Sequence, residues 1–251
     1  MRLKLIACEI LYRELCAATA RSVNQIDVEF LPKGLHDIGG PNMSQRLASA
    51  LDAVDPAQFD AVLLGYGLCS NGLVGLAATK IPLVVARAHD CITLFLGSRQ
   101  RYLDYFQSHP GVYFRTTGWI ERGDGLMQNL PDAAAPATTQ SLAYADLVAR
   151  YGEDNARFLY DELCRMRNYA GMAYIEMGLG PDESFERQTR EDAAARGWKY
   201  EKLSGDMTLL QGLLDGSWDD QQYLVVPVGH CIAPSYDELI IKAIPTAPAS
   251  R

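Results

Sequence analysis

Six cysteines occur in this 251-residue chain, and four of them follow apolar runs that read as β-strands. Cys8 follows RLKLIA, Cys69 follows DAVLLGYGL, Cys91 follows PLVVARAHD and Cys231 follows YLVVPVGH. In an open parallel α/β sheet the functional crevice lies at the carboxyl ends of the strands, so these thiols are expected to converge. Two have a histidine beside them, in His89-Asp90-Cys91 and His230-Cys231. Alternate residues of an extended loop point the same way, so His89 and Cys91 could face one ligand. One imidazole with two or three thiolates suits zinc. Three or four thiolates without histidine suit an iron–sulfur cluster equally. The candidate ligands are Cys8, Cys69, His89, Cys91 and Cys231. No CxxC pair supports them. Thiols packed at strand ends as small hydrophobes, or a cysteine nucleophile, are the competing readings. Cys16 and Cys164 fall in helical patterns, where a buried cysteine is a small hydrophobe.

Glycine-rich turns accompany the thiols. Gly65-Tyr66-Gly67-Leu68-Cys69-Ser70-Asn71-Gly72 follows a strand and is expected to open a helix. Glycine permits close backbone approach, and a helix N-terminus offers N–H groups to an anion and lowers a thiol pKa. The third glycine is displaced from GxGxxG and no acidic ribose partner follows, so dinucleotide binding is disfavoured. The turn is better read as aiming Cys69 into the crevice. Gly65, Gly67, Asn71 and Arg87 are the residues that could cradle a cofactor there. Asp90 could orient an imidazole, and Glu9 follows Cys8. Tyr102, Tyr105 and Phe106 have helical spacing and suit core or interface. His36 and His109 receive no role, and Gly34 to Pro41 is a loop candidate near the same edge.

These residues need a scaffold of alternating strands and helices. Strand patterns cover Arg2 to Ala7, Ile26 to Leu31, Asp60 to Gly65, Ile81 to Ala86, Val112 to Thr116, Met172 to Met177, Lys199 to Leu203 and Tyr223 to Val226. Helical patterns cover Ile10 to Ala20, Met43 to Val54, Leu73 to Ala78, Thr93 to Gln107, Leu142 to Arg150, Asp154 to Ala170, Ser184 to Ala195 and Met207 to Leu214. Such alternation implies parallel βαβ units. The expected fold is α/β, with two Rossmann-like lobes of mainly parallel sheets whose strand ends converge on a central cleft. The lobes are placed at residues 1–122 and 142–244, joined by a Pro- and Ala-rich linker or arm at 123–141, with a frayed tail at 245–251. A weak internal repeat sets MSQRLASALDAVDPAQFDAVLLGYGLCSN against MTLLQGLLDGSWDDQQYLVVPVGHCIAP, Cys69 opposite Cys231.

Composition excludes several function classes. Hydrophobic residues make up 48% and charged residues 22%, enough for a core rather than a disordered chain. Twenty-three Lys and Arg against 31 Asp and Glu give a net charge of −8. An acidic chain without a basic block disfavours nucleic acid and anionic membranes, and no apolar run is long enough for a spanning helix. Acidic Glu9 and Glu14 interrupt the first apolar stretch, against a signal peptide. Cysteines this sparse suit a reducing compartment, so the expected location is the cytoplasm.

The segments LIACEILYREL, GYGLCSNGL and AHDCITLFLGS, with YFRTTGWIE, Gly197-Trp198 and Gly216-Ser217-Trp218 downstream, resemble an uncharacterised bacterial and archaeal family, a domain of unknown function. Its cysteine-bearing motifs map onto Cys8, Cys69 and Cys91. The resemblance implies an association with corrinoid-dependent methyltransferase systems that handle methylamines or betaines. It points to a corrinoid protein or methyltransferase as partner. The His-x-Cys element with a distant cysteine is also similar to zinc sites that activate thiols for methyl transfer on an unrelated barrel fold. The leading expectation is a metal-binding protein with a thiolate-rich site between lobes, acting as enzyme or accessory protein in one-carbon metabolism. The alternatives are a non-enzymatic small-molecule-binding module with structural cysteines, and a cysteine-dependent hydrolase or lyase pairing Cys91 with His89 or His230. The sequence names neither the substrate nor the oligomeric state.

Overall fold

The computed structural model describes residues 1–36, 40–69, 71–109, 111–122 and 169–246. The expected arm at 123–141, the helix at 142–150 and nearly all of that at 154–170 lie outside the described residues.

The first sheet begins with β1 (Arg2–Cys8), β2 (Gln25–Leu31), β3 (Ala61–Gly65) and β4 (Leu83–Ala86). All four run parallel, and the order β2-β1-β3-β4 is completed at its edge by β8 (Tyr223–Val226). The central strands are buried on both faces, as their unbroken apolar runs require. A short 3-10 turn, Glu9–Leu11, leads from β1 into α1 (Tyr12–Arg21), and α2 (Gly40–Asp52) connects β2 to β3. After β4 come α3 (Cys91–Leu96) and α4 (Arg99–Ser108). The single helix expected from Thr93 to Gln107 is divided because Gly97 takes φ 69°, the left-handed conformation that ends helices. Ser98 then caps α4 by accepting from the Arg101 N–H.

The second sheet is parallel, in the order β5-β6-β7, from β5 (Val112–Thr116), β6 (Gly171–Glu176) and β7 (Lys199–Ser204). α5 (Thr117–Glu121) follows β5, and α6 (Ser184–Ala195) covers β6 and β7. α7 (Thr208–Asp215) then returns to the first sheet, where it packs on α1, β3 and β4.

The fold is therefore α/β with mainly parallel sheets. Their carboxyl ends meet. Beyond β7, the Asp206 N–H donates to the Phe95 carbonyl of α3 at 2.9 Å. Arg13 in α1 holds Glu121 in α5 through two nitrogens, at 2.9 and 2.8 Å. A Cβ on Gly118 would stand 1.7 Å from the Ile10 carbonyl, so the start of α5 lies backbone to backbone on the turn that follows β1.

The C-terminal part departs from the expected repeat. β8 pairs with β4 antiparallel, Tyr223 opposite Ala86 and Val226 opposite Leu83. It thus adds to the first sheet, while β5 belongs to the second, and the sheets exchange strands across the lobe bounds drawn from sequence. A two-stranded hairpin, β9 (His230–Pro234) with β10 (Ile241–Pro245), was not foreseen. Its last residues overlap the expected tail: Pro245 ends β10, and the Thr246 N–H bonds the Gly229 carbonyl. No helix among the described residues is long and apolar enough to cross a membrane.

Arg87 holds this C-terminal part in place. It is buried, and its guanidinium donates to the carbonyls of Asp220 (2.8 Å), Tyr223 (3.1 Å), Leu239 (3.0 Å) and Ile241. Charge-assisted bonds to buried carbonyls are among the stronger ones. Arg87→Met leaves four acceptors short of a donor and is expected to cost about 2–4 kcal/mol in urea unfolding followed by circular dichroism.

Glu14 of α1 carries the opposite burden. It is buried, and neither carboxylate oxygen has a hydrogen-bond partner. Burial pushes its pKa up to about 7, with Arg13 opposing and Glu121 adding to the shift. Between the unfolded value and about 7, the folded state keeps a proton that the unfolded state has lost, so stability falls as pH rises through that window. Glu14→Gln removes this slope. The stability of the variant relative to the native chain should therefore rise by roughly 3 kcal/mol from pH 4 to pH 8, read from unfolding curves at both pH values.

Candidate functional site

Three of the expected cysteines meet at the carboxyl edge of the first sheet. Cys8 ends β1, Cys69 lies four residues past β3, and Cys91 opens α3. All three are buried. The loops after β3 and β4 are zipped together: the Leu68 N–H donates to the Ala88 carbonyl at 2.8 Å, and the Cys69 N–H to the His89 carbonyl at 2.9 Å. The glycines serve this contact. A Cβ on Gly67 would stand 2.6 Å from the Asp90 backbone, and one on Gly65 would strike the Ala7 side chain at 2.5 Å.

The thiols influence one another. The charge of Cys91 raises the pKa of Cys8, that of Cys8 raises Cys69, and that of Cys69 raises Cys91. The larger cause in each case is burial, which pushes Cys8 and Cys69 up to about 12 and Cys91 well above its usual range. The helix terminus expected to lower the Cys69 pKa is not found among the described residues. The residues after it form turns, not the helix expected at Leu73 to Ala78, so no helix terminus offsets the desolvation. Asp90 adds its negative charge near Cys69 and Cys91.

Each sulfur nevertheless receives N–H donors. These N–H groups oppose the upward shift: the Ile10 amide at Cys8, the Gly67 and Cys91 amides at Cys69, and the Trp119 indole N–H at Cys91. Trp119 comes from α5, so the second sheet takes part directly. Sequence reasoning gave Trp119 no role. Its signal was Gly118 beside it, a glycine that marks close backbone approach, together with Thr116, whose hydroxyl caps α5 by accepting from the Trp119 amide at 3.2 Å.

Other expected residues fall elsewhere. His89 is exposed and lines the cavity, and its carbonyl serves Cys69. Asp90 orients no imidazole. One oxygen caps α3 through the amides of Ile92 and Thr93, and the other accepts from Tyr102 Oη at 3.0 Å. Arg87 spends its donors on carbonyls, as described above. Asn71 adopts φ 65° in a turn. Cys231 and His230 are not brought to the three thiols. Because β8 runs antiparallel to β4, the chain leaves it toward the edge where β4 begins, and Cys231 bridges Ala77 there. Among the described residues, no group of three or more His, Cys, Asp or Glu side chains stands ready to hold a metal ion.

A cavity of about 580 Å³ opens on this edge. It is lined by Cys69, His89, Asp90 and Cys91 and by an aromatic wall of Tyr113, Phe114, Trp119 and Tyr169. A second depression at the start of the second sheet, beside His109 and Glu201, holds none of the thiols.

Protonated, buried thiols react slowly with electrophiles, because the thiolate is the nucleophile. Under native conditions at pH 7.5, iodoacetamide should modify exposed Cys16 first. Cys8, Cys69 and Cys91 should follow only on unfolding, as read by peptide mass spectrometry.

No curated protein and no solved structure matches the chain. The model of a family described as a protein of unknown function, DUF1638, matches residues 30–214, a span that holds Cys69, Cys91 and Trp119 but neither Cys8 nor Cys231, and the chain belongs to that family.

Proposed function

We propose that Cys8, Cys69 and Cys91 form a thiolate centre for a soft metal, zinc or an iron–sulfur cluster, facing a cavity that admits a small molecule. The observation that carries this reading is the ring of three coupled, buried sulfurs, each met by at least one N–H donor. Hydrogen bonds to sulfur stabilise thiolate over thiol and tune metal–sulfur centres. Burial is the main force that holds the protons on, and a soft cation would replace them. The donor set therefore fits such a metal chemically. Closing on one ion requires the side chains to turn inward from loops that are already adjacent. His89, on the rim, is a fourth donor within the same loop. Cys231 is not included.

Three thiolates and an open position describe a zinc site that keeps room for substrate. When bound, the metal would supply Lewis acidity and hold a sulfur deprotonated at neutral pH. The residues of this chain would do the rest. Trp119 would hold Cys91 through its indole N–H. Asp90 would fix α3, and the aromatic wall would exclude water from the cavity. On the motif resemblance, we extend the reading to corrinoid-linked methyl transfer or one-carbon metabolism. The chain would act there as enzyme or accessory protein with a corrinoid protein or methyltransferase as partner. The cytoplasm is the compartment in which these thiols would stay reduced.

Elemental analysis and the visible spectrum of protein purified without oxygen test the proposal. About one zinc, or iron and sulfide with visible absorbance, is expected per chain, and it should be lost in a Cys69→Ser, Cys91→Ser double variant that retains its circular dichroism. Zinc affinity should also climb with pH, about tenfold per pH unit for each proton displaced. Native protein that takes up no metal on reconstitution, or a double variant that binds it equally well, would overturn the reading.

A further inference from the structure

The aromatic wall of the thiol cavity has a second side. Tyr113, Phe114 and Trp119 also line a smaller pocket of about 150 Å³, whose other walls are Lys33, Arg115, Ile120 and Gln188. The Trp119 indole thus borders both spaces. Its N–H serves Cys91 on one side, and on the other the Lys33 ammonium lies over its face, 4.7 Å from the ring centroid.

Lys33 is the lysine of this pocket. Its backbone N–H is held by Glu9 Oε1 at 2.8 Å, which fixes the start of the side chain. Its ammonium has no carboxylate within ion-pair distance among the described residues, whereas Arg115 across the pocket is paired with Asp192. Lys33 is half-buried, and its ammonium has three N–H donors, more than the indole face can engage. A cation in a partly enclosed pocket without a counter-ion is a standing cost that an incoming anion relieves. The pocket suits a singly charged, planar anion. It is small, it offers an ammonium without a carboxylate partner among the described residues and the Gln188 amide, and the Asp192 carboxylate on Arg115 disfavours a second negative charge. Beyond Trp119 the larger cavity offers Ile92, Phe114 and Tyr169, which suits an apolar tail.

Taking the thiol cavity as the functional centre, we propose that Lys33, with Gln188, binds the carboxylate of a small organic acid whose apolar tail lies against Trp119 and enters the cavity beside Cys69 and Cys91. Lys33 is then the specificity-determining residue of the site, selecting acids over amines and neutral molecules. Trp119 couples the two halves, because a ligand that shifts the indole also shifts the hydrogen bond on Cys91.

The chain has three tryptophans, so its indole N–H signals are few. The Trp119 resonance in ¹H–¹⁵N spectra of the full chain, assigned with Trp119→Phe, is followed during titration with butyrate, butylammonium and inorganic phosphate. Butyrate should shift it saturably with a Kd of about 1–10 mM, and butylammonium should not. Lys33→Met should weaken butyrate by about tenfold or more, and Lys33→Arg should restore most of the binding. Gln188→Leu, an exposed position that cannot compromise the core, should weaken it about threefold. Equal shifts with butylammonium, phosphate saturating at lower concentration than butyrate, or unchanged butyrate binding in Lys33→Met would each overturn the proposal. Metal content measured on the same samples separates this result from the thiolate reading. Butyrate binding by a chain that takes up no metal would sustain the anion site and sink only the metal centre.

Discussion

Gly67 lies so close to the backbone of Asp90 that a single added carbon would stand 2.6 Å from it. That approach decides the rest of the site. It lets the loops after β3 and β4 bond to each other through Leu68 and Cys69, which sets the Cys69 sulfur within reach of the Cys91 amide. It also places Asp90 to cap α3, so that the helix starts with its first residue, Cys91, turned toward the same space. Parallel strands leave their loops at a common edge. Only a glycine at this position lets two of those loops touch backbone to backbone and bring their thiols together.

The second sheet completes what the first begins. Gly118 permits the analogous contact with the turn after β1, and the paired bonds between Arg13 and Glu121 hold α5 at that turn. Without both, Trp119 would have no fixed position over Cys91. The thiols are thus enclosed by a second layer rather than left at an open sheet edge. That enclosure raises their pKa, because burial in low dielectric disfavours the charged form. Position and electrostatics therefore share one origin, the convergence of two carboxyl edges.

Much of this was legible in the residues. Unbroken apolar runs such as VLLG and LVVA mark strands buried on both faces, and the strand at Val112–Thr116 and the helix at Ser184–Ala195 match their sequence patterns. The convergence of Cys8, Cys69 and Cys91 followed from a rule about parallel sheets. It failed for Cys231 because β8 has the same composition as a parallel strand but runs the other way, and direction leaves no trace in a four-residue apolar run. Arg87 was misread for a related reason. An arginine after a strand reads as lining a cofactor site, and only the return of residues 219–245 supplies the carbonyls that consume it. The helix expected after Cys69 gave way to turns in which Cys69 and Asn71 take positive φ, a conformation that Asn and Gly in that stretch favour. Trp119 and Lys33 act through a contact between segments 86 residues apart, which no local pattern encodes.

The N–H groups around the sulfurs argue further than the sulfurs do. A buried amide left without an acceptor costs about 1–3 kcal/mol, so the amides of Ile10, Gly67 and Cys91 need partners. Ordinary packing would give them carbonyl oxygens, since sulfur is a weak acceptor. Here they meet thiols that burial keeps neutral, an arrangement that gains little from each bond while the protons remain. The same bonds become strong once the sulfurs carry charge. The N–H groups beside the sulfurs are accounted for if the sulfurs are charged in the working state of the protein.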